Sequence, residues 1–179
     1  MSRQKNPEVE ISPTPMERTG ILSERAKEFI SLRNQPLRGL NCKIILVSPD
    51  DVPYIWEKVH DHLVSMMPHS EGELEPDDFY EAISEGEMQL WIALEEKELL
   101  ASMVTQIVTY PRKTILRIIS IGGDDMEKWI GYIPLIEDWA LSMGCTSLEC
   151  WGRKGWLRVL KDWKCSYHII TKDLTARMH

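Results

Sequence analysis

The spacing of apolar positions changes several times along this 179-residue chain, and the changes divide it into elements. Residues 1–20, MSRQKNPEVEISPTPMERTG, have no apolar period and carry three prolines, which predicts an extended arm. A short helix is expected after it, with Ser23 as N-cap, Ala26, Phe29 and Ile30 on one face, and Pro36 closing the segment. The division is therefore an N-terminal arm over residues 1–40 and a folded domain over residues 41–179.

Within the domain, Lys43–Val47 reads as a short strand. Ser48-Pro49-Asp50-Asp51 then supplies an N-cap, a proline in the first turn and acids near a helix start. Ile55, Val59, Leu63 and Met66 recur at helical spacing, so a helix is predicted over about 52–67. A second short helix is expected around Phe79–Ser84. Three segments of β-prone residues follow, Gln89–Leu94, Leu99–Tyr110 and Thr114–Ile121, separated by turns, and they predict an antiparallel meander.

Gly122-Gly123-Asp124-Asp125 ends that meander. Trp129, Ile133, Ile136, Ala140 and Met143 then recur every three or four residues, as on an amphipathic helix closed by Gly144. Pro134 predicts either a kink in this helix or a helix that properly begins near Ile133. Thr146–Cys150 reads as a strand, Gly155–Trp163 as a short helix and Ser166–Thr171 as a last strand. The predicted order is β-α-α-β-β-β-α-β-α-β, a mixed α/β (α+β) domain with a largely antiparallel central sheet.

Charge narrows the functional classes. The net charge is −7, but eight acids, Glu71, Glu73, Glu75, Asp77, Asp78, Glu81, Glu85 and Glu87, fall in one run without Lys or Arg, and the remainder is close to neutral. An acidic chain argues against a dedicated nucleic-acid binder, whose affinity comes from neutralising phosphates. Cys42, Cys145, Cys150 and Cys165 form no C-x-x-C pair, and no leader-like or membrane-length apolar run is present. These features predict a reduced, cytoplasmic, non-secreted protein without disulfides, membrane contact or metal. His60 and His62 stand at i, i+2 on a predicted helix and so face different directions, a poor metal pair.

An antiparallel meander, a Gly-containing turn into a helix, then strand, helix and strand, resembles the acyl-CoA N-acyltransferase (GNAT) fold from about Asn41 to Leu174. The runs Gln89-Leu-Trp-Ile-Ala93, Val104-Thr-Gln-Ile-Val-Thr-Tyr-Pro111, Ile136-Glu-Asp-Trp-Ala140 and Gly152-Arg-Lys-Gly-Trp156 are similar to the small GNAT-like proteins encoded near structural genes of tailed bacteriophages. They are similar in kind to the GNAT-like internal virion proteins of short-tailed phages. That resemblance implies a location in host cytoplasm or in the virion.

The resemblance carries chemistry only where residues match. Active GNAT members hold the pyrophosphate of acyl-CoA on a Q/R-x-x-G-x-G/A turn through backbone N–H groups. The matching turn here is Ile121-Gly122-Gly123-Asp124-Asp125-Met126, with Gly122 and Gly123 as the cofactor-binding candidates. Two carboxylates stand where a dianion would arrive, and both suit the helix instead, Asp124 as N-cap and Asp125 as a first-turn charge. The resemblance also implies a tyrosine acid in the last helix, but Gly155–Trp163 contains none, and indole is no general acid. Tyr110 and Tyr167 are the substitute candidates, with Glu87 and Glu149 as candidate bases.

In the tryptophan-rich stretch 144–163, Trp156, Val159, Leu160 and Trp163 fall at helical spacing and predict a core-facing side. The basic residues Arg153, Lys154, Arg158, Lys161 and Lys164 project elsewhere. They could form a solvated face, contact CoA phosphates (through Arg153 and Arg158), or meet an acidic partner such as the 71–87 segment of another copy. Two functions stay open. One is a catalytically degenerate GNAT-fold module of a phage particle or its assembly, needing no cofactor and binding a protein partner or itself through the arm 1–40 and the basic helix 153–164. The other is a divergent acetyl-CoA-dependent N-acetyltransferase.

Overall fold

A five-stranded sheet separates two apolar layers, and each layer is closed by a pair of helices. The computed structural model describes residues 42–66, 72–95, 98–152, 154–166, 170 and 172. The arm 1–40 with its helix, Arg153 and Tyr167 lie outside the described residues.

Strand β1 (Cys42–Leu46) leads through a 3₁₀ turn (Pro49–Asp51) into helix α1 (Val52–Met66). Pro49 occupies the first turn as predicted, where its missing N–H has no helical partner to lose. Ser48 precedes that turn, but its hydroxyl makes no capping bond. Helix α2 (Pro76–Ser84) is longer than the predicted Phe79–Ser84, because Asp78 accepts a bond from the Glu75 N–H at 2.7 Å and secures the first turn. Val52, Val59 and Leu63 of α1 and Phe79 and Ile83 of α2 are buried together against one face of the sheet.

The meander is present as β2 (Gln89–Glu95), β3 (Glu98–Tyr110) and β4 (Lys113–Gly123). All three pair antiparallel, and β1 pairs antiparallel with β2. Helix α3 (Met126–Trp129) and a 3₁₀ turn (Ile130–Tyr132) come next, followed by helix α4 (Ile133–Ser142). Of the two readings of Pro134, the second holds: α4 starts at Ile133 and Pro134 sits in its first turn, so no interior backbone bond is lost. Gly144, at φ +82°, follows the helix in the left-handed conformation expected there.

Trp129, Ile133, Ile136, Trp139 and Ala140 bury the second face of the sheet, where Trp91 meets Trp139 edge-on at 5.0 Å. Strand β5 (Ser147–Cys150) then pairs parallel with β4 and completes the order β1-β2-β3-β4-β5.

One expectation for the end of the domain is corrected. Gly155–Trp163 is not an α-helix: a 3₁₀ helix covers Lys154–Arg158 and isolated turns follow to Trp163. Gly155 at its start and Val159 and two tryptophans within nine residues give little helix propensity, and such a short segment does not nucleate alone. The side-chain segregation survives: Trp156, Val159, Leu160 and Trp163 are half-buried, with both tryptophans against the α4 layer, while Leu157, Arg158, Lys161 and Lys164 are exposed. The predicted strand 166–171 falls largely outside the described residues, and neither Ser166 nor Ile170 is in a strand.

Candidate functional site

The parallel pairing of β4 and β5 defines a mouth, since crevices open beyond the carboxyl ends of parallel strands. The register runs from Ile115↔Ser147 to Ile118↔Cys150 and stops there, while β4 continues to Gly123. Immediately after that last pair β4 is bulged: Thr105 pairs with Ile118 and Val104 with Ser120, leaving Ile119 as the extra residue. A bulge bends its strand and raises its twist, and β5 ends at the same level, at Cys150.

At the far end of the mouth lies the turn that the resemblance assigns to pyrophosphate. Gly122 pairs with Ser102 inside β4. Gly123, at φ +149°, is packed against β3: a Cβ there would overlap the Leu100 carbonyl oxygen and sit 2.5 Å from Ala101 Cα. Its small size therefore serves strand packing. The Asp124 N–H, one of the groups a phosphate would need, donates to Leu100 O at 2.8 Å.

The N-cap of α3 is Asp125 rather than Asp124, a correction to the sequence reading. Asp125 is left-handed (φ 46°, ψ 53°) and its side chain makes no capping bond. Its carboxylate instead meets Lys128 Nζ at 2.9 Å, and the same ammonium meets Glu95 Oε2 at 2.7 Å, tying the turn to the end of β2. Hydrogen bonds to Glu95 and then to Asp125 hold the Lys128 ammonium well above the usual lysine range. The Asp124 carbonyl, in turn, accepts from Trp129 Nε1 at 2.9 Å. A four-residue helix, a committed N–H and two carboxylates make this turn a poor phosphate cradle.

A second arrangement occupies the sheet's β3-β4-β5 end. Arg117 is the centre: its Nε donates to Glu149 Oε1 at 2.8 Å and its Nη2 to the Tyr110 hydroxyl at 2.9 Å. Its guanidinium lies 4.3 Å from the centre of the Trp151 ring. Trp151 Nε1 also donates to Glu149 Oε1, at 2.8 Å. The Arg117 and Glu149 side chains are 14% and 18% exposed, whereas Trp151 is 56% and Tyr110 41% exposed. Cross-strand register explains the pairing, because Arg117 and Glu149 are direct partners on β4 and β5.

The structure thus joins two sequence candidates, Tyr110 and Glu149, through a residue that sequence reading passed over. An arginine inside the apolar run Ile115-Leu-Arg-Ile-Ile119 was the available signal. Glu149 Oε1 already accepts two bonds, the role of an anchor for the network more than of a free base. Glu87 is exposed just before β2, and two strands, β3 and β4, lie between β2 and the Glu149 strand. Arg158 is exposed at the end of the 3₁₀ helix.

The cysteines do not add a nucleophile near the mouth. Cys150 is half-buried, and burial, with the Glu149 charge second, pushes its thiol up to about 11. Burial also raises Cys42 and Cys145, while Cys165 is exposed. Among the described residues no group of three His, Cys, Asp or Glu side chains could hold a metal, and no helix is long and apolar enough to cross a membrane. A cavity of about 20 Å³ lined by Trp91, Met103, Ile121, Trp129 and Ile136 is room for one water and not for an acyl-CoA arm.

No family model and no curated protein matches this sequence. Solved structures do match in shape. An aminoglycoside acetyltransferase from an uncultured soil metagenomic sample aligns with 74% of this chain and 97% of its own at 8% identity, with a TM-score of 0.56. A ribosomal-protein-alanine N-acetyltransferase from Brucella melitensis aligns over 74% and 99% at 11% identity and a TM-score of 0.56. Glucosamine-6-phosphate N-acetyltransferase from Arabidopsis thaliana aligns over 74% and 98% at 14% identity and a TM-score of 0.53. The domain has the fold of the GNAT acetyltransferases, and at these identities the likeness speaks for the fold alone.

Proposed function

We propose that this chain is a GNAT-fold protein that has given up acyl-CoA chemistry and acts through its surface, as an interaction or assembly module of the phage type. The observation that carries this reading is the Asp124 N–H bonded to Leu100 O, beside Asp125 and Lys128 in a closed ion pair. Acetyl-CoA does not fit that turn, because the Asp124 N–H that would meet a pyrophosphate is spent on Leu100 O and the local charge is negative. The phage part of the reading is supported by the sequence runs around Gln89, Val104, Ile136 and Gly152. Partner contact is assigned to the arm 1–40 and to the basic segment 153–164.

The test is release of free CoA from acetyl-CoA, followed with a thiol reagent over a panel of primary amines and N-terminal peptides. The expected rate equals the blank. Turnover above the blank that disappears in Tyr110→Phe or Glu149→Gln would support the second reading, a divergent N-acetyltransferase. That alternative draws on the parallel β4/β5 mouth and on the acetyltransferase names of the structures it resembles. In it Gly122, Gly123, Arg153 and Arg158 would cradle CoA.

A further inference from the structure

One face of the sheet carries two surfaces of opposite character. Alternation along the strands puts Tyr110, Arg117 and Glu149 on the face covered by α1 and α2, because Leu116, Ile118, Leu148 and Cys150 point into the other layer. Helix α1 packs over β3 and β4, and α2 packs on α1. Exposed Trp151 and Tyr110 mark the end of this face that the helices leave open. Arg117 lies against the Trp151 ring and Lys113 Nζ is 5.7 Å from the centre of the Tyr110 ring, with Arg112 exposed in the turn between β3 and β4. An exposed tryptophan and tyrosine, each hydrogen-bonded to one member of the mostly buried Arg117–Glu149 pair and flanked by exposed basic side chains, are the composition that dominates interface energetics.

Helix α2, on the same face, is the electrostatic counterpart. Asp77, Glu81 and Glu85 are exposed and spaced by four residues, so they line one side of the helix. No Lys or Arg occurs between Lys58 and Lys97.

We infer that a second copy of this chain is the partner of this face: the Asp77–Glu81–Glu85 side of α2 in one copy docks on the Tyr110 and Trp151 rings of the other, with its acids against Arg112 and Lys113. Because both surfaces lie on one face of the sheet, a two-fold axis makes the contact twice, and a raised helix layer fills the open end of its mate. The inference rests on reading the protein as an interaction module, and it gives that module a first partner.

Sedimentation velocity of the full chain tests it. The wild-type protein is expected as a dimer that weakens by about tenfold or more between roughly 0.05 M and 0.5 M salt. Trp151→Ala, at an exposed site, is expected to weaken it similarly while leaving the circular dichroism unchanged. Glu81→Lys/Glu85→Lys and Arg112→Glu/Lys113→Glu are each expected to be monomeric alone and to form a 1:1 dimer when mixed, since one contact is then native and the other charge-reversed on both sides. A wild-type monomer at every concentration overturns the inference, as does a dimer that ignores salt and these substitutions. Acetyl-CoA turnover would overturn the interaction-module reading and leave the sedimentation result standing, so the two failures are distinguishable.

Discussion

Gly123 lies so close to Leu100 that a side chain at position 123 would collide with the Leu100 carbonyl. The same carbonyl takes the Asp124 N–H at 2.8 Å, so the end of β4 is closed onto β3. A glycine that resembles part of a phosphate-binding pattern is here required by strand packing. Gly123→Ala is expected to destabilise the domain by about 2–4 kcal/mol, through the collision and the positive φ together. Urea unfolding measures this, and a loss below ~1 kcal/mol would show that β3 yields easily.

The Arg117–Glu149 pair predicts a second outcome. Both side chains are mostly buried, and removing either leaves its partner charged and under-solvated. Arg117→Ala and Glu149→Ala should each cost about 2 kcal/mol, and the double variant should lose less than the sum, by ~1 kcal/mol or more. Additive losses in a double-mutant cycle would mean that the pair is two independent contacts.

Alkaline pH probes Cys150. Its folded pKa, about 11, lies above the ordinary value of 9.0, so the folded state holds the proton longer than the unfolded chain does. The stability contributed by the buried thiol is complete below pH 9 and is lost as pH rises from 9 towards 11. Cys150→Ala should flatten that part of the stability profile relative to wild type, as read by urea midpoints across this range.

Pro134 offers a test of helix placement. In the first turn of α4 it removes no helical hydrogen bond, so Pro134→Ala is expected to change stability by less than about 1 kcal/mol. A gain of ~3 kcal/mol, the penalty of an interior proline, would mean that the helix runs continuously through it.

Much of this architecture was legible in the sequence because each element carried its own period. The strands at Gln89, Leu99 and Thr114 and the apolar spacing from Trp129 to Met143 need no tertiary information. The segment after Gly152 was misread because its tryptophan spacing imitates a helix, and packing against the α4 layer satisfies the same side chains with a 3₁₀ helix and turns. The cap moved from Asp124 to Asp125 because Leu100, a residue distant in sequence, captures the Asp124 N–H. The Tyr110–Arg117–Glu149–Trp151 network depends on strand register and on the bulge at Ile119, neither of which local patterns reveal.

Thermal unfolding with and without millimolar acetyl-CoA tests the central claim most directly. Ligand at a hundred times its dissociation constant adds ~2.7 kcal/mol, which raises the midpoint of a chain this size by roughly 5–10 °C. The closed Gly123–Asp125 turn predicts no shift. A clear rise would show that the turn opens to hold the nucleotide, and would contradict the loss of acyl-CoA chemistry proposed here.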